Sequence, residues 1–172
     1  MKRYKRKSFP VILIVIALAL ISYYAAQNQN AEISDISANT MKVTAVSDGD
    51  TFTGLTSDNE QVRVRIHGID APESRQAFGT KSKQYLSDLI FGKTVDIKIQ
   101  STDRYGRTVA WVYTPDGKDA AAEMLKAGMA WHYKQHNKSA EYAELEQEAQ
   151  KAKRGLWADK NPVAPWEFRR QK

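Results

Sequence analysis

Cysteine is absent from the 172 residues, which excludes disulfides, thiolate-bound metals and a cysteine nucleophile. That absence is compatible with either side of a membrane, so the redox compartment stays open. No internal repeat is present, and the length allows one domain with a proper core plus a modest appendage, not two ordinary domains. Surplus positive charge is missing from most of the chain. The formal net charge is +6, but five of those charges belong to Lys2, Arg3, Lys5, Arg6 and Lys7, leaving +1 beyond Lys7. Bulk charge is therefore no argument for a nucleic-acid partner; any such argument rests on where individual cations fall.

Behind the basic block the chain is uncharged from Phe9 to Ala26 and compatible with a helix after Pro10. An apolar stretch behind a cationic leader predicts a membrane segment. Two outcomes fit it. A cleaved signal peptide has this layout, with Ala25-Ala26 near its end, although Tyr24 breaks the usual small-residue pattern. An uncleaved anchor also fits, since the stretch approaches the roughly 17–25 residues that span a bilayer, with Tyr23 and Tyr24 as interfacial anchors. Residues 1–26 are thus read as signal peptide or membrane anchor and residues 27–40, polar and aperiodic, as a flexible linker. In either case positive charge stays inside and the rest of the chain is expected outside the cytoplasm.

The domain is expected to begin near Met41. Short runs rich in Val, Thr and Phe predict strands over 41–47 and 51–55, separated by the turn at Asp48-Gly49. Residues 61–69 alternate, with Val62, Val64 and Ile66 on one face and Arg63, Arg65 and His67 on the other, which predicts a half-buried strand. Further strands are expected over 95–99 and 108–113. Helices are expected from a Thr80 cap to Gly92, from an Asp119 cap to Ala127, and from a Ser139 cap to Arg154 and Gly155. The sum is an α+β domain, a small five-stranded barrel with about three helices. From Pro162 the tail lacks periodicity and is expected to be loosely ordered, its Arg169, Arg170 and Lys172 adding at most weak phosphate attraction.

Two acidic clusters carry the chemistry. Asp48-Gly49-Asp50-Thr51 lies in a turn, and Asp70-Ala71-Pro72-Glu73 comes after the alternating strand about twenty residues later. If the intervening strands are neighbours, the loops meet, and Asp50 and Asp70 offer oxygen ligands to a hard cation. Either cluster alone would read as a solvated turn. Arg65 and Arg107 emerge beside these loops, and a guanidinium presents paired donors that match phosphate oxygens and never loses its charge. Salt bridges to the acidic loops are the purely structural alternative. His67 and His132 are read as structural or peripheral, and Leu156 and Trp157 as packing the last helix onto the barrel.

Taken together, Asp48-Gly49-Asp50-Thr51, the run from Arg65 to Glu73, Asp103-Arg104-Tyr105-Gly106-Arg107 and Gly155-Leu156-Trp157 resemble, in order and spacing, the staphylococcal nuclease (thermonuclease) family. The resemblance covers roughly residues 41–158, leaving 159–172 as a tail. It implies an OB-fold barrel and Ca²⁺ held by the carboxylates of Asp50 and Asp70 and the main-chain carbonyl of Ala71, where the family usually has Thr. It implies that Glu73 positions or deprotonates the attacking water and that Arg65 and Arg107 bind phosphate. The implied activity is Ca²⁺-dependent hydrolysis of DNA and RNA by a monomer, leaving 3′-phosphate products. Arg104 and Tyr105 match the terminal phosphate and ring pocket, and Tyr133, in Trp131-His132-Tyr133, falls where the family prototype uses a pair of tyrosines on the nucleotide. The loop between Glu73 and Thr80 is shorter than in the prototype, which bears on substrate preference. A barrel of this type that binds nucleic acid without cutting it is the alternative.

Overall fold

Val43, Phe52, Val64, Ile66, Val95, Ile97, Ala110 and Val112 are buried together, and the five strands that carry them close into a barrel. The computed structural model describes residues 19–24 and 40–171. Residues 19–24 are helical, and among the described residues no helix is long and apolar enough to cross a membrane. The expected membrane segment and linker otherwise lie outside the described residues.

The barrel strands are β1 (Thr40–Val46), β2 (Thr51–Leu55), β3 (Gln61–Ile66), β5 (Thr94–Thr102) and β6 (Thr108–Tyr113). They close in the order β1-β2-β3-β6-β5, with β3 and β6 parallel and the other pairs antiparallel. This agrees with the expected five-stranded OB-type barrel. A separate pair is formed by β4 (Ile69–Asp70) and β7 (Trp131–His132). Three helices pack with the barrel, α1 (Gly79–Ile90), α2 (Ala120–Lys126) and α3 (Ala140–Lys151), followed by a 3-10 turn at Gly155–Ala158. Leu86 and Ile90 of α1 and Met124 and Leu125 of α2 join the barrel core.

Local chemistry explains most boundaries. Asp119 accepts a hydrogen bond from the Ala121 N–H and Ser139 one from the Tyr142 N–H, so both expected caps are present. The Thr80 cap is not: the cap position falls two residues earlier, at Phe78, which is in the left-handed region and makes no side-chain bond. The strand expected over 61–69 stops at Ile66, because Gly68 turns the chain at φ 83° and sends Ile69 and Asp70 to pair with His132 and Trp131 instead. The last helix ends at Lys151, short of Arg154. Its buried face includes Glu146, whose carboxylate accepts from the His132 N–H and pairs with Lys134. Leu156 and Trp157 are buried as expected, but against Ala149, Phe78 and Trp131 in a small cluster of their own.

The tail differs most from expectation. Residues 159–171 fold into a strap with a short helix, α4 (Pro165–Phe168), and a 3-10 turn at Arg169–Gln171. Pro165 stands at the start of α4, where its missing N–H costs nothing. Trp166 holds the strap down: its ring lies 5.7 Å from that of Trp131 and is stacked on Tyr133 at 5.6 Å and 15°. No periodicity could reveal this, since one helical turn is too short to have any.

The segments that follow α2 and α3 meet through two glycine backbones, Gly128 and Gly155. Gly155 has φ 54°, and a Cβ there would lie 2.2 Å from the Gly128 carbonyl oxygen. Gly155→Ala is therefore expected to cost about 2–4 kcal/mol by strain and displacement combined. Thermal unfolding beside the unmodified chain measures it, with a melting point lowered by several degrees as the expected result.

Candidate active site

The strand register assembles the site. Thr51 opposes Arg65 across β2 and β3, and Arg65 opposes Val109 across β3 and β6. Arg107, just ahead of β6, therefore lies near Thr51 and Arg65. The Ile66 N–H donates to the Asp50 carbonyl at 2.8 Å, fixing the β1–β2 turn against β3. Gly49 lets that turn press on α1: a Cβ would sit 1.8 Å from Ser82 Oγ.

One guanidinium joins the two acidic loops. Arg65 Nη1 donates to Asp50 Oδ1 at 2.9 Å and Nη2 to Asp70 Oδ1 at 3.0 Å. The carboxylates are 3% and 1% exposed as residues, so both charges are almost wholly removed from water. Asp50 also accepts from Thr51 Oγ1 at 2.9 Å and from the Ala71 N–H at 2.9 Å. Arg107 Nε pairs with Asp103 at 2.7 Å, and its Nη1 reaches Thr51 Oγ1 at 3.5 Å. Asp103 in turn accepts from the N–H groups of Tyr105 and Arg107, which fixes the β5–β6 turn.

These groups face a cleft of about 960 Å³ lined by Asp48, Asp50, Arg65, Asp70, Glu73, Arg104, Tyr105, Arg107 and Tyr133, among others. Eight of the nine residues singled out in the sequence thus share one surface. Ala71 does not line the cleft; it is buried behind it and gives its N–H to Asp50. The Arg104 and Arg107 guanidinium carbons lie 4.8 and 5.6 Å from the ring of Tyr105, which is 70% exposed. Tyr133 lines the cleft, but Trp166 and His136 pack on its ring. His67 packs on Trp111 at 4.5 Å, and His132 Nε2 meets the Asn137 carbonyl at 2.9 Å, so both have structural partners.

Residues 63–159 match the family model described as "Staphylococcal nuclease homologue". An "Uncharacterized endonuclease" of Haemophilus influenzae is 48% identical over 133 residues, 77% of this chain and 74% of that protein. The "Micrococcal nuclease" of Shigella flexneri is 41% identical over 139 residues, covering 75% and 79%. "Protein ParB" of Escherichia coli is 38% identical over 177 residues, covering 97% and 95%. The chain belongs to the staphylococcal nuclease family. The model of that family is matched from Arg63 onward, so it does not reach Asp50; strand pairing and the Arg65 ion pair bring Asp50 to the matched residues.

A family member's site can be tested for a hard cation by its donors alone. Two buried carboxylates and nearby backbone carbonyls are all-oxygen donors, the set that suits Ca²⁺ and not softer metals. Among the described residues no group of three or more His, Cys, Asp or Glu is placed to hold a metal ion, so side-chain donors alone do not make a full shell. Burial raises the Asp50 carboxyl to about 6 from its ordinary 3.8, and Arg65 pulls back only part of that. Burial therefore opposes the ionised form of Asp50, and a bound cation would favour it. Arg65 is held in its charged form by Asp50 and Asp70 against the opposing effect of burial.

Sequence reasoning missed Arg169 as a member of the site. Its Nη2 donates to Asp70 Oδ2 at 2.7 Å, and its Nη1 to Asp70 Oδ1 at 3.2 Å and Glu73 Oε1 at 2.8 Å. Pro165 at a helix start and the aromatic Trp166 and Phe168 were the only hints that the tail folds.

The raised Asp50 pKa has a signed consequence. Between pH 4 and 6 the folded state binds this proton and the unfolded state does not, so Asp50 costs nothing below about 4 and its full penalty is present above about 6. Cation-free protein is expected to lose stability relative to Asp50→Asn as pH rises through that window. Urea unfolding at several pH values measures the difference, and a difference that does not change with pH would contradict the assignment.

Proposed function

We propose that this chain is a Ca²⁺-dependent nuclease that hydrolyses phosphodiester bonds of DNA and RNA. The observation that carries the reading is the convergence of Asp50, Asp70, Glu73, Arg65 and Arg107 on one cleft of a staphylococcal nuclease family member. Relatives named as an endonuclease and as a micrococcal nuclease support the same class of reaction.

The chemistry is the positioning of a water and a phosphate. Ca²⁺ would be held by the carboxylates of Asp50 and Asp70 and the carbonyl of Ala71, and when bound it supplies Lewis-acid polarisation of a phosphoryl oxygen. Glu73, partly exposed at the cleft, takes a proton from water as the water oxygen forms its bond to phosphorus. Arg65 and Arg107 donate hydrogen bonds to the phosphoryl oxygens as negative charge grows on them. The P–O5′ bond breaks, the 5′ oxygen takes up a proton, and the products are a 5′-hydroxyl end and a 3′-phosphate end. Asp103 aims the Arg107 side chain, gripping Nε so that the terminal nitrogens can turn toward substrate. Arg104 and Tyr105 flank this point, with an exposed ring available to a base and a cation to a neighbouring phosphate.

The reading extends to location. A basic leader followed by an uncharged stretch from Phe9 to Ala26 supports export or anchoring, with the nuclease acting outside the cytoplasm.

Glu73→Gln and Arg107→Ala are each expected to lower cleavage of single- and double-stranded DNA by about 10²–10⁴-fold while the melting temperature stays near that of the unmodified chain. EDTA is expected to stop cleavage and added Ca²⁺ to restore it. Well-folded protein that binds DNA and cuts it in neither condition would instead favour a binding module.

A further inference from the structure

The strap reaches the site in two places, and both lead to Glu73. Arg169 Nη1 donates to Glu73 Oε1 at 2.8 Å and also to Asp70 Oδ1 at 3.2 Å, while Nη2 donates to Asp70 Oδ2 at 2.7 Å. Asp70 is 1% exposed and tied to Arg65, so it is a fixed point. Arg169 thereby transfers that fixed position to Glu73, whose side chain is 37% exposed. The second contact is through Gln76. Its Nε2 donates to the Val163 carbonyl of the strap at 2.5 Å, and its Oε1 accepts from the Glu73 N–H at 3.1 Å. Backbone and carboxylate of one residue are therefore both referred to the strap.

Glu73 needs such support. It lies in the irregular segment between β4 and α1, on a long side chain that loses much of its rotamer freedom when ordered. A guanidinium fork fixed by a buried carboxylate offsets that loss, whereas an ammonium, with no planar fork, would hold the two carboxylates less rigidly. The strap is itself anchored away from Glu73 by Trp166 against Trp131 and Tyr133 and by buried Ala164 and Pro165. It also lies past residue 159, where the match to the family model ends.

We propose that Arg169 is a positioning residue for Glu73, and that the C-terminal strap is the template that sets the Glu73 segment in its working geometry. The proposal rests on the reading of Glu73 as general base, and its test separates the two. In the full chain with saturating Ca²⁺, Arg169→Ala is expected to lower kcat about tenfold to hundredfold with KM changed by less than about threefold. Arg169→Lys is expected to recover part of that loss. Gln76→Ala, which cuts the other contact, is expected to lower kcat in the same way. In the Glu73→Gln background, Arg169→Ala is expected to cost almost nothing more, because it acts through the missing carboxylate. Amide exchange in cation-free protein gives a readout independent of turnover: residues 73–77 are expected to exchange faster in Arg169→Ala while the barrel strands do not change.

Unchanged kcat and exchange in Arg169→Ala would overturn the proposal. So would an equal loss in both backgrounds, which would make Arg169 a substrate contact, or tighter Ca²⁺ binding with faster turnover, which would make it a blocking group. If Glu73→Gln cleaves normally, the base assignment fails on its own, and exchange at residues 73–77 still decides whether the strap orders that segment.

Discussion

Asp50 and Asp70, almost excluded from solvent, share the guanidinium of Arg65 at 2.9 and 3.0 Å. Removing one partner from a buried ion pair typically costs about 3–5 kcal/mol, because the remaining charge has no water to turn to. That cost constrains everything around the pair. The β1–β2 turn must face the segment after β4, Thr51 and the Ala71 N–H must turn toward Asp50, and β3 must deliver Arg65 between the two loops. Arg65 is shared between the two carboxylates and Arg169 brings a second guanidinium to Asp70 alone, while burial raises the Asp50 carboxyl to about 6. A cation bound there would favour the ionised carboxylate that burial opposes.

Rigid and less rigid parts of the cleft divide accordingly. Barrel register sets Arg65 and places Arg107 beside Thr51, so the phosphate-facing cations sit on a framework of paired strands. Glu73 sits on irregular chain between β4 and α1, and its contacts run to Gln76 and to the strap. Aromatic packing does for the strap what hydrogen-bond ladders do for the barrel. Trp131, on β7, meets both Trp157 and Trp166, and so links the end of the α3 region to the tail through one ring.

Legibility followed the range of each interaction. Asp119 and Ser139 could be read as caps because a cap needs only the next few residues. Thr80 misled because α1 starts at a left-handed Phe78, a conformation imposed by the surroundings and not signalled by the residue. Similarly, the alternation of Val62, Val64 and Ile66 marked β3, while its end at Gly68 depended on a partner strand more than sixty residues away. Tyr133 was recognisable as a cleft residue, yet the stacking of Trp166 on its ring was not.

By itself the sequence determined most of the composition of the site: its acids, Arg65 and Arg107, and the β-type segments that bring them near one another, since these depend on short spacings and on the period of apolar residues. Only the tertiary structure decided how those groups are shared. That Arg65 spans Asp50 and Asp70, that Glu146 is buried beside His132, and that Arg169 closes on Asp70 and Glu73 from almost a hundred residues away are all long-range pairings. Such pairings are set by closure of the barrel and docking of the strap, and a one-dimensional pattern carries no record of which distant charge will meet which.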